Sequence, residues 1–355
     1  MVPLRDKVMK RAITVLLAWT FTPAWPQEAL LVRELASERV VVARSAYFPR
    51  LVAARDGSLL AAFKTGAPHI GKGGRASIAR SRDGGRSWSG PRVIFDLPDA
   101  DDGIDASGVL SDGTILFGAV SYTWEGERYS TKGWKASAYV LASKDDGATW
   151  SPPVPVDAAP FAWAYPFGSI LKLEDGILVM AGYGGDLPYK ADGPQTAFVV
   201  RSRDGGRSWG NAAVIARDFN ETSLILLRGG ALSTDRGMHW DAPVTVTRER
   251  EHPGDLLRLQ SGAILLTFGQ RNKPFGVQAM ISLDEGKSWD RRRRVVLAWD
   301  GDHGDLGYPV TVQRSDGRLA TIYYVVYGER DPEGIKGIAP GNAFTKLVLW
   351  DDPWK

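Results

Sequence analysis

The phrase Ser-x-Asp-x-Gly-x-x-Trp stands five times in this chain, at Ser81–Trp88, Ser143–Trp150, Ser202–Trp209, Ser233–Trp240 and Ser282–Trp289. A phrase of fixed internal spacing that returns along one chain marks a repeat architecture, radial or stacked. Its local chemistry is that of a tight hairpin corner. The Asp can accept hydrogen bonds from backbone N–H groups of the turn, the Gly can take a positive φ, and the Trp can fold over the corner as an apolar cap. Turn chemistry thus accounts for every fixed position, and none of the five Asp residues is a candidate catalyst.

A second repeat interleaves with the first. Turns at Arg55-Asp-Gly57, Ser111-Asp-Gly113, Glu174-Asp-Gly176, Arg228-Gly-Gly230, Gln260-Ser-Gly262 and Arg314-Ser-Asp-Gly317 each lead into an apolar run. Short apolar runs bounded by such turns read as antiparallel strands joined by hairpins. Six units of roughly 40 to 60 residues, each with several strands, predict an all-β six-bladed β-propeller, which buries sheet faces between neighbouring blades. Helical periodicity is scarce beyond the first thirty positions. Closure of the ring is expected to pair a strand near Leu30–Arg33 or Arg39–Ala43 with the last run, Ala343–Trp350.

At 355 residues the chain could hold two domains, but large all-β folds run this long as one and no linker interrupts the repeats. We therefore expect one domain over residues 28–355. The net charge is only +3 and its basic excess is scattered, which argues against nucleic acid as a partner. The run Arg291–Arg294 is expected to be a solvated strand or corner after a hairpin. Residues 1–27 are separate in character. Lys7, Lys10 and Arg11 precede the apolar run Ala12–Trp19 and a flank rich in Pro and Ala, a pattern that predicts an export signal. The run is too short to span a bilayer comfortably. The chain has no Cys, hence no disulfide framework.

Five such phrases on six blade-like units resemble the Asp boxes of the sialidase (neuraminidase) superfamily of propellers, over about residues 35 to 350. The resemblance implies an active site at one mouth of the propeller axis. It also implies three arginines for a substrate carboxylate, a Tyr nucleophile paired with a Glu, and an Asp acid/base. The chemistry is coherent. Guanidinium groups fork onto carboxylates, and a Tyr activated by a carboxylate approaches an anionic anomeric centre with less repulsion than a carboxylate would.

Carried over residue by residue, the resemblance implies Tyr308 as nucleophile, in Asp305-Leu-Gly-Tyr308-Pro, and Glu221 as its base, at the start of the fourth unit. It implies Arg271 as a late arginine and Arg50, in Tyr47-Phe-Pro-Arg50, as the first, matched by location and type. Two departures stand out. The stretch Lys64–Arg80, where the acid/base Asp belongs, contains no carboxylate, so Asp102 or Asp105 is the expected substitute and His69 the other titratable group there. In the fourth unit only Ala231-Leu232 separate the turn from Ser233, so that blade is expected to be truncated, and the middle arginine has no counterpart unless Arg75 compensates. Asp305, Tyr165 and Tyr183 complete the expected substrate contacts; aromatic faces pack on sugar rings but also build cores. No zinc or phosphate-loop spacing occurs, so no metal and no cofactor is expected. Three functions stay open: a sialidase-like exo-glycoside hydrolase with a glycan substrate, a glycan-binding propeller without turnover, and a glycosidase or lyase for an uncharged or uronic sugar. Retention of Tyr308 and Glu221 with only one inward arginine would favour the last over sialidase activity.

Overall fold

The computed structural model describes residues 12–16, 33–35, 37–190, 193–227, 240, 243–328 and 342–355. The described residues are almost entirely strand and turn, with one short 3-10 turn at Arg291–Arg293, and no helix among them is long and apolar enough to cross a membrane.

Alternating runs and Gly-bearing turns give antiparallel meanders of four strands. The first unit is Tyr47–Ala53, Leu59–Thr65, Arg75–Ser81 and Arg92–Phe95. The second starts at Asp101–Val109 and the third at Trp163–Lys172, and these two inner strands also pair in parallel. The fifth starts at Glu251–Arg258. The sixth runs Leu306–Gln313, Leu319–Val326 and Ala343–Trp350, and its fourth strand is Glu38–Arg44, from the other end of the chain. The expected closure is therefore made by the Arg39–Ala43 segment, while Arg33–Glu34 pairs instead with Val295–Ala298.

The fourth unit differs. Its inner strand Ser223–Leu227 pairs antiparallel with Ala12–Leu16, from the stretch that reads as an export signal. Its turn and its copy of the repeated phrase, apart from Trp240, lie outside the described residues, as does the expected truncation there.

Apolar clusters fill the gap between each unit and the next, closing the ring. Leu265, Val277, Tyr323 and Trp350 join fifth to sixth, Leu51, Phe63, Ile322 and Leu347 join sixth to first, and Leu60, Ile104 and Phe117 join first to second. Similar clusters join second to third, third to fourth and fourth to fifth. Sheets packed face to face around an axis are a β-propeller.

The repeated phrase does what turn chemistry requires. In the first copy Ser81 donates to Asp83 at 2.8 Å, the N–H of Gly85 donates to Ser81 Oγ at 2.7 Å, and the N–H of Ser87 donates to Asp83 at 2.9 Å. The copies at Asp145, Asp204 and Asp284 repeat this pattern. Hydrogen bonds from Ser87 and Ser81 hold Asp83 far below the usual carboxylate range. Trp88, Trp150, Trp209 and Trp289 each pack on an inter-sheet cluster. The Arg291–Arg294 run needs correcting at its last member. Arg292 and Arg293 are exposed, but Arg294 is buried and forks onto the buried Glu251 at 2.6 and 2.9 Å. A buried guanidinium requires such a partner.

Candidate active site

Five inner strands break register at the same end of the ring. Each carries extra residues opposite its neighbour, between Tyr47 and Arg50, Ile104 and Ala106, Pro166 and Ile170, Glu251 and Gly254, and Gly307 and Val310. A bulge releases a residue from the ladder and re-aims its side chain. Phe48, Asp105, Phe167 and Tyr308 all lie within these breaks, so residues distant in sequence converge at one mouth of the axis. Phe48, Glu221 and Tyr308 adopt φ values of 51°, 42° and 51°. Non-glycine residues in this region cost about 1–3 kcal/mol each and cluster where geometry serves chemistry.

Tyr308 donates its phenolic proton to Glu221 Oε1 in a short hydrogen bond. Burial and then the charge of Glu221 raise the phenol well above its ordinary value, with Arg271 opposing. Tyr308 therefore rests neutral, poised to give its proton to the carboxylate. Arg271 stands over the Tyr308 ring at 5.5 Å, and its Nε donates to the Leu306 carbonyl at 3.2 Å. It makes no ion pair among the described residues. Glu221 is positioned by a close backbone approach: at Gly168, φ 77°, a Cβ would meet the Thr222 carbonyl oxygen at 2.5 Å, so only glycine fits.

The structure separates the two acidic candidates of the second unit. Asp102 is fully buried and turned away, accepting from the Leu97 N–H and from Ser121. Asp105 is partly exposed. Burial pushes its carboxyl up to about 7, and the charge of Arg50 only partly offsets this, while Glu221 adds to it. Asp105 can thus hold a proton near neutrality. Their neighbour Asp101 is tied into a buried ion pair with Lys64 at 2.5 Å and accepts from the Gly71 N–H at 2.8 Å.

The arginines are less available than the sequence implies. Arg50 is buried and engaged through two of its three nitrogens, Nη2 donating to the Gly168 carbonyl at 2.8 Å with Asp255 at 3.6 Å, and Nε donating to Ser107 at 3.3 Å. It lines an axial cavity of about 600 Å³, to which every inner strand contributes one segment and which also takes in Arg258 and Gln313. That cavity includes neither Tyr308 nor Glu221. Arg75 is half exposed and pairs with Asp96 at 3.3 Å, which leaves it outside the cluster around Tyr308.

His69 does reach the cluster. Its Nδ1 lies 3.0 Å from both oxygens of Asp305, and Tyr324 donates to Asp305 at 2.6 Å. Asp305 is buried with both oxygens engaged, so it supports His69 and does not face open space. Burial would raise this carboxyl, but the charge and hydrogen bond of His69 hold it well below the usual range. Phe48 touches His69, Tyr308 and Tyr324 with ring centroids at 4.7, 5.1 and 5.3 Å. Tyr165 and Tyr183, paired across adjacent strands, stack at 5.0 Å, both partly exposed, and Phe167 bridges from Tyr183 to Tyr308 at 6.4 and 5.9 Å. Sequence reasoning missed Phe48, Tyr324 and Asp255. Phe48 stood in the quoted Tyr47–Arg50 segment, where a Pro inside an inner strand, the mark of a bulge, could have drawn attention to it.

These observations define an Asp-box β-propeller with a tyrosine–carboxylate pair at one mouth. The chain belongs to the BNR repeat-like domain family, which it matches over residues 127–321, and it shares the fold of the sialidase superfamily. A Dyadobacter fermentans protein of unknown function is 22% identical over 89% of this chain and 98% of its own, with a TM-score of 0.71. The Hadza microbial sialidase Hz136 is 18% identical over 86% of this chain and 66% of its own, TM-score 0.64. Trypanosoma rangeli sialidase, solved with sialic acid, is 13% identical over 89% of this chain and 59% of its own, TM-score 0.59. At such identities these likenesses concern the fold.

Proposed function

We propose that this protein is a sialidase-like exo-glycoside hydrolase that removes a terminal acidic sugar from a glycan. The observation that carries this reading is the hydrogen bond from Tyr308 to Glu221 at the propeller mouth. Glu221 takes the phenolic proton as Tyr308 attacks the anomeric carbon, and Arg271 orients the acidic group of the sugar. Departure of the leaving group requires a proton, and Asp105 and His69 are the titratable groups of the mouth able to give one, whereas Asp102 faces away. The stacked Tyr165 and Tyr183 offer a surface for a sugar ring. The test is fluorophore release from an aryl α-sialoside by the purified protein beside Tyr308→Phe. We expect turnover by the parent and a loss of at least about 10²-fold in the variant; equal rates would remove Tyr308 from the mechanism.

A second reading has its own support. Among the described residues Arg271 makes no ion pair, nor does its exposed neighbour Arg250, whose Nε donates to the Arg271 carbonyl at 3.1 Å, while Arg50 is held by Asp255. A site whose first arginine is already held by a carboxylate suits a glycosidase or lyase acting on a uronic or uncharged sugar. Turnover of aryl uronides or neutral glycosides with none of sialosides would select it. We also propose that residues 1–27 direct export. Cleavage there would free the strand edge at Ser223–Leu227, and N-terminal sequencing of secreted material would detect it.

A further inference from the structure

Asp105 and His69 come from different units, Asp105 from the bulged inner strand Asp101–Val109 of the second and His69 from the first. The charges that act on Asp105 are those of Arg50, Glu221, Lys64 and Asp101, so it neighbours both the nucleophile's own base and the lysine that holds the His69 loop. His69 belongs to the loop between Leu59–Thr65 and Arg75–Ser81. That loop is pinned: Lys64 donates to the His69 carbonyl at 3.0 Å, and the Gly71 N–H donates to Asp101. The edge-to-face ring of Phe48 touches both His69 and Tyr308, so the imidazole lies one aromatic ring from the nucleophile.

Its two nitrogens are unequal. Nδ1 faces the Asp305 carboxylate, itself fixed by Tyr324. A carboxylate in that position keeps a proton on Nδ1 and leaves Nε2 to exchange the other. Nε2 has no hydrogen-bond partner among the described residues, and the side chain retains 11% exposure.

We propose that His69 is the acid and base that serves the leaving group, with Asp305 as its positioning residue. The proposal rests on the hydrolase reading above. As the bond from Tyr308 Oη to the anomeric carbon forms, Glu221 receives the phenolic proton. The bond to the leaving oxygen breaks with its electron pair on oxygen, and that oxygen takes the Nε2 proton of His69. Water then attacks the same carbon and gives a proton to Nε2. The electron pair returns to Tyr308, which recovers its proton from Glu221. Asp105, beside Glu221, is left to accept a hydrogen bond from a sugar hydroxyl.

The experiment compares His69→Gln, Asp305→Asn and Asp105→Asn on two substrates, 4-nitrophenyl α-sialoside, whose leaving group needs no proton, and sialyllactose, whose leaving group does. We expect His69→Gln to lower kcat/KM, which reports the step that expels the leaving group, by about 10²–10⁴-fold on sialyllactose and by no more than about tenfold on the nitrophenyl substrate, while the loss of the base for water lowers kcat on both. Asp305→Asn should follow in the same direction with a smaller effect. His69→Asn, which keeps a donor toward Asp305, serves as a second substitution should His69→Gln fail to fold. Equal losses in kcat/KM on both substrates, no loss, or a leaving-group-selective loss in Asp105→Asn instead would overturn the assignment while leaving the hydrolase reading standing. Absence of turnover by the parent on both substrates would remove both.

Discussion

Asp105 shows how position, and not residue type, decides what a carboxyl group does. Asp101, Asp102 and Asp105 lie within five residues, yet one is ion-paired, one is buried against a backbone N–H, and one faces the mouth. Strict alternation along a strand would not select Asp105, because the register slips between Ile104 and Ala106. That slip was not legible in the sequence, and the acid/base candidate therefore stayed split between Asp102 and Asp105. The carboxyl of Asp105, pushed up to about 7, also has a consequence for stability. An unfolded Asp titrates near about 3.9, so between that pH and about 7 the folded chain holds a proton that the unfolded chain releases. Stability from this group is full below about pH 4 and is lost as pH rises through 7. Asp105→Asn should therefore melt at a higher temperature than the parent at pH 8, with the advantage vanishing by pH 4 in scanning calorimetry. Parallel melting profiles across that range would show that Asp105 is not desolvated in this way.

Among the elements, the bulged inner strands carry the site. The family resemblance paired Tyr308 with Glu221, and the structure brings their side chains together. Arg50 was also legible as an inner-strand residue. Its direction was not, because the break between Tyr47 and Arg50 sends Phe48 toward the mouth and Arg50 toward Asp255. Likewise the basic run at Arg291–Arg294 gave no hint that its last member turns inward onto Glu251, since a charge run carries no period that separates faces. The bulge at Gly168 sets the third unit against the backbone of Thr222 and Ser223, the residues that follow Glu221. Gly168→Ala should push the Thr222 backbone away and misplace Glu221. A displacement of that size costs about 10²-fold in turnover. The rate of aryl glycoside hydrolysis, set beside an unchanged circular dichroism spectrum, checks this, and parent-like turnover would show that the contact does not position the base.

Across the whole molecule the repeat was the strongest signal, since four of its copies are seen to be Asp-held corners whose Trp packs on an inter-sheet cluster. Closure by the Glu38–Arg44 strand against Ala343–Trp350 ties the two ends of the ring together, leaving the inner strands fixed about one axis. A rigid ring of this kind holds loops and bulges from several units in register at its mouth, which is what a site assembled from Phe48, His69, Asp105, Glu221, Arg271 and Tyr308 requires. The central claim is that Tyr308 forms a covalent bond to the sugar during turnover. Its most direct test is incubation with a fluorinated sialosyl fluoride, which forms a glycosyl-enzyme that decays slowly, followed by mass spectrometry of the intact protein and its peptides. The account predicts a single added glycosyl mass on the peptide containing Tyr308, absent in Tyr308→Phe. Steady turnover of an aryl sialoside with no adduct at Tyr308, or an adduct on another residue, would contradict it.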